Sequence, residues 1–104
     1  MRTLLAALML AATAALASAQ NIGDRDRGHT FAVLVCAECH AIESGEGTSP
    51  NEDAPTFTTV AGTPGMSELA LTVFFQTPHV TMPNIILPSD VARDLIAYIL
   101  SLED

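Results

Sequence analysis

The chain has 104 residues and sets twelve acidic against four basic side chains, a formal charge of −8 at pH 7. That length suits a single domain, and that charge repels nucleic acid and anionic lipid. The 49% apolar content reflects the first residues more than a membrane-embedded body.

Arg2 precedes an apolar run from Leu4 to Leu16, which ends at the small-residue site Ala17-Ser18-Ala19. This pattern predicts a secretory leader over residues 1–19, cleaved before Gln20, with one domain over 20–104. An uncleaved anchor is the competing reading, but the run is well short of the ~20 apolar residues of a spanning helix, and no later stretch is longer. The mature part keeps Arg25, Arg27 and Arg93, has no lysine and retains all twelve carboxylates, a formal charge of −9. Such a surface is steered toward cationic partners, unless its acidity serves solubility alone. A domain this small has little apolar core of its own, so something else is expected to complete it.

Asp24 to Ala37 reads as a first helix, with acidic residues in its first turn and Phe31, Leu34 and Val35 on one face. Gly28 inside it costs about 1 kcal/mol relative to alanine, which points to a backbone packed close by. Residues 43–55 carry Gly45, Gly47, Ser49, Pro50, Asn51 and Pro55 without apolar period, and read as a loop. A middle helix follows Ser67 as cap, with Leu69, Ala70, Val73 and Phe74 sharing a face, and Pro78 stops it. The segment His79 to Pro88 is excluded from regular helix by Pro83 and Pro88, so it reads as an ordered apolar loop. A last helix begins at a Ser89 cap, with Val91, Ala92, Leu95, Ile99 and Leu102 as its apolar stripe. No strand pattern, repeat or second domain is visible. The expected class is all-α.

Cys36-Ala37-Glu38-Cys39-His40 is the attachment signature of c-type haem. Thiols three positions apart lie on one side of a helical turn, where each can add to one haem vinyl, and His40 then follows beneath the iron as an axial ligand. Two rival readings exist. A disulfide or thioredoxin-like Cys-x-x-Cys belongs with a βαβ pattern, which is missing here. A zinc site would take Cys36, Cys39 and His40 and need His29 or His79 as a fourth ligand, without a second paired motif.

From the motif outward, the chain resembles the class I c-type cytochromes, and its short spacing from His40 to Met82 is similar to the compact bacterial members. The order is helix, Cys-x-x-Cys-His, loop with Pro55, middle helix, Thr81-Met82-Pro83-Asn84, and a closing helix through Asp94-Leu95-Ile96-Ala97-Tyr98-Ile99. The resemblance implies a fold in which the first and last helices cross at Gly28 and Tyr98, while the middle helix and the Met82 loop enclose one haem c. It implies Met82 as the distal sulfur ligand, with Met66 and His79 as competitors. It also implies that the Pro55 carbonyl receives the ring N–H of His40, a contact that orients the ligand. The chain departs from the family in having Ala54 where glycine is common before the proline, and no tryptophan to reach a haem propionate.

His/Met ligation leaves no open position on the iron, so the implied function is electron transfer rather than enzymatic catalysis, in a periplasmic protein docking on partners with a basic surface. No stable membrane insertion is expected after the leader is removed. The alternatives are a haem-based gas sensor or peroxidase-like protein with a displaceable distal ligand, or a thiol-disulfide oxidoreductase using Cys36 and Cys39.

Overall fold

The computed structural model describes residues 23–78, 81–83 and 85–103. The expected leader, His79, Val80 and Asn84 therefore lie outside the described residues. Within them the chain is helical and contains no strand: α1 Arg25–Phe31, a π-helical continuation Ala32–Cys36, α2 Phe57–Ala61, α3 Glu68–Gln76 and α4 Ser89–Leu100. None of these helices is long and apolar enough to cross a membrane.

Helix α1 starts where Asp24, in extended geometry, accepts from the Arg27 N–H at 3.0 Å, so a carboxylate satisfies one of the orphan donors of the first turn. The expected single helix over residues 24–37 is in fact two kinds of helix. From Ala32 the turns widen, and the Ala37 N–H donates to the Ala32 carbonyl five residues back at 2.9 Å. The wider turn rotates the following side chains away from the face set by α1. Ala32 is fully buried while Leu34 is 78% exposed, so the face expected from Phe31, Leu34 and Val35 does not hold together.

Helix α1 packs mainly on α4, and the crossing is tight. A Cβ on Gly28 would stand 2.0 Å from the Asp94 carbonyl oxygen and 2.9 Å from Tyr98 Cβ. Only a residue without a side chain lets the backbones meet there. The rim is tied by Arg27 Nε, which donates to Asp94 at 2.9 Å, and by the Asp24 N–H, which donates to the same carboxylate at 2.7 Å. Arg27 beside Asp94 holds that carboxyl below its usual range. Leu95, Ile96, Tyr98 and Ile99 of α4 then form one buried cluster with Ala32, Ile42, Phe57, Ala61 and Leu71.

Three expectations change. Helix α2 appears in a stretch for which no element was expected, and Thr58, Thr59 and Val60 within it have poor helix propensity. Thr56 caps it by accepting from the Thr59 N–H, and Phe57 and Ala61, four apart, bury one face. Ser89 is the first residue of α4 rather than its cap; Pro88 stands at the cap, and its carbonyl accepts from the Ala92 N–H. Ser67 does cap α3, accepting from the Ala70 N–H at 3.1 Å, but the helix buries Leu71 and leaves Leu69 72% exposed. Met66 is half-buried and packs against the core cluster.

Candidate functional site

The π-helical segment delivers Cys36 to the start of a tight turn. The Cys36 carbonyl accepts from the Cys39 N–H at 3.1 Å and from the His40 N–H at 2.9 Å, so Cys36, Cys39 and His40 occupy one turn. The loop behind it is pinned as well, since the Asn51 N–H donates to the Cys39 carbonyl at 3.1 Å. Both cysteines are half-buried and free, with no disulfide between them. Burial pushes the Cys36 thiol up to about 11. A thiol held protonated is poorly poised for thiol–disulfide exchange, which needs the thiolate.

The ring of His40 is oriented from two sides. Its Nδ1 lies 2.7 Å from the Pro55 carbonyl oxygen, the contact that the family resemblance implies. A carbonyl can only accept, so Nδ1 carries the proton and, in the neutral ring, Nε2 keeps its lone pair. The second side is Phe57, whose ring centroid is 5.3 Å from that of His40. Pro55 and Phe57 flank Thr56, the cap of α2, so the unexpected helix is what presents both groups to the imidazole.

His29 is engaged elsewhere. Its Nε2 is 2.5 Å from Glu43 Oε1, and its ring lies against Tyr98 at 4.9 Å. Among the described residues no group of three or more histidine, cysteine or acidic side chains could hold a metal ion, so the zinc arrangement finds no support from His29. Met82 lies in the loop before α4, half-buried, and residues 81–83 and 85–88 form no helix.

The residues present fit a haem. Two thiols and an imidazole with a free Nε2 share one turn, and large apolar side chains nearby in sequence or on α3 and the Met82 loop stand in solvent: Val33, Leu34, Val35, Leu69, Val73 and Ile86, the last 88% exposed. Isolated exposed apolar residues are ordinary, but Leu69 and Val73, four apart on α3, share one exposed face that a flat hydrophobic ring could cover.

The sequence reading missed Phe57, Ser49 and the hydroxyl of Tyr98, all of which hold the segment after His40. The signal for Phe57 was present in Pro55-Thr56 followed by Phe57 and Ala61 four apart. Ser49 carried no such signal, because a buried serine inside a turn-rich loop looks like any other loop serine. Compared with protein-family models, curated proteins and solved structures, the chain gives no match.

Proposed function

We propose that this chain is a c-type cytochrome, an exported periplasmic electron carrier in which Cys36 and Cys39 hold one haem covalently and His40 and Met82 are its axial ligands. The observation that carries the reading is the state of His40: with Nδ1–H given to Pro55, the ring is fixed in the tautomer whose Nε2 can bind iron, on the same turn as both thiols. The finer form of the all-α fold is then the cytochrome c-like one, with crossing terminal helices and a haem enclosed by α3 and the Met82 loop.

When bound, the haem supplies reversible one-electron chemistry at iron. The chain's own residues determine how that chemistry is used. His40 would offer a neutral nitrogen, and its hydrogen bond to Pro55 fixes the orientation of the ring. Met82 offers a soft thioether, which would favour the ferrous state and raise the potential of a bound haem. With His40 and Met82 both holding the iron, no position would be left for a substrate, which suits a carrier rather than an enzyme. Its −9 mature charge favours encounter with redox partners that present a basic surface.

Adding carbon monoxide to the reduced protein at neutral pH tests the closed site. The spectrum should stay unchanged in the wild type and shift in Met82→Ala, which should also lose the weak far-red absorption of a sulfur–iron bond. Prompt binding by the wild type would reassign the protein as a gas sensor or peroxidase-like haem protein.

A further inference from the structure

The two residues that follow His40 are buried, and each of their described hydrogen bonds reaches a different element. The Ala41 N–H donates to Ser49 Oγ at 3.0 Å, and the Ala41 carbonyl accepts from the Phe57 N–H at 2.9 Å. The Ile42 carbonyl accepts from the Tyr98 hydroxyl at 2.6 Å, a buried bond that joins α4 to a segment 56 residues away in the chain. Ala41 and Ile42 are 2% and 4% exposed, so water cannot readily replace a lost partner. The Tyr98 ring also lies 6.5 Å from that of Phe57, which in turn lies against His40.

We propose that Tyr98 and Ser49 are positioning residues for His40, holding Ala41–Ile42 so that the imidazole stays seated between Pro55 and Phe57. Neither residue touches the ring. Both act through the backbone that carries it and, for Tyr98, through Phe57. The helix crossing thus has a second task besides stability: it places a hydroxyl of the last helix behind the ligand turn. The surroundings keep that hydroxyl a donor, because burial and the Glu43 carboxylate push Tyr98 up to about 12. Glu43 is itself fixed by His29, and its other oxygen lies 3.4 Å from the Tyr98 hydroxyl.

The inference deepens the haem-ligand reading of His40 and rests on it for its functional meaning. The test is solvent exchange of the His40 Nδ1–H, followed by proton NMR in the reduced holoprotein. It is compared among wild type, Tyr98→Phe, Ser49→Ala, and wild type in enough urea to match each variant's global stability. A buried carbonyl or N–H left without its partner should speed exchange by about tenfold or more over the matched wild type. If one variant does not fold, the other carries the comparison. Exchange equal to that of the matched wild type would show that the two side chains only stabilise the fold, and would overturn the proposal. Covalent haem is scored separately on the wild type by its reduced spectrum in alkaline pyridine, so failure of the haem reading is seen before any variant is compared.

Discussion

The crossing of α1 and α4 and the outer face of α3 use apolar residues in opposite ways. At the crossing Gly28 brings the backbones into contact, Leu95 and Ile99 are fully buried behind it, and Arg27, Asp24 and Asp94 close the rim. On α3 only Leu71 is buried, while Leu69 and Val73 on the other side are more than half exposed. The first region is completed by the chain itself. The second has the composition of a core and the exposure of a surface. One half of the fold is closed by its own residues and sets the Cys36–His40 turn in place, while the other leaves apolar surface exposed, which the proposed haem would cover.

Withholding the proposed cofactor should have the largest effect. A Cys36→Ala, Cys39→Ala double variant made without haem should lose its cooperative thermal transition and much of its helicity by circular dichroism, since so short a domain has little core to spare. A sharp melt with native helix content would mean that the crossing alone stabilises the fold. Next in size, Gly28→Ala should cost about 2–3 kcal/mol in urea unfolding, because the added methyl meets the Asp94 carbonyl and the helices must separate. An effect near zero would mean that the crossing is loose.

Leu69→Ala probes the exposed face of α3. In the holoprotein it should cost about 2 kcal/mol if the α3 face is covered. A change within about 0.5 kcal/mol, as for an ordinary surface site, would leave that face in solvent. The smallest effect concerns the rim. Asp94 has its carboxyl held low by Arg27 and the Asp24 N–H, so its contribution is fully present above the ordinary carboxylate pKa of about 3.9 and is lost as pH falls through its lower folded value. Asp94→Asn should flatten that part of the acid-stability profile, and an unchanged profile would assign the acid dependence to other carboxylates.

The parts of the molecule governed by short-range rules were legible before any coordinates. Gly28 announced a close crossing because an interior glycine is costly, and Ser67 announced the start of α3 because its hydroxyl can cap. The spacing of Cys36, Cys39 and His40 announced a shared turn. What was not legible depends on contacts distant in sequence. Both sides of α3 carry apolar residues, so periodicity could not decide between Leu71 and the Leu69 and Val73 side. The π-helical turn at Ala32–Cys36 leaves no compositional trace, and the buried face runs through Gly28 and Ala32, which leaves Leu34 on the solvent side. Helix α2 forms against propensity because Phe57 and Ala61 have a core to enter and Thr56 has an N–H to accept.

The central claim is that Cys36 and Cys39 carry haem, and extraction of the purified native protein with acidified acetone tests it most directly. The haem absorption should stay with the protein, and the reduced spectrum in alkaline pyridine should be that of a haem joined through two thioethers. Haem that passes into the acetone, or a protein that never shows haem absorption when expressed with a working export and haem-attachment system, would contradict it.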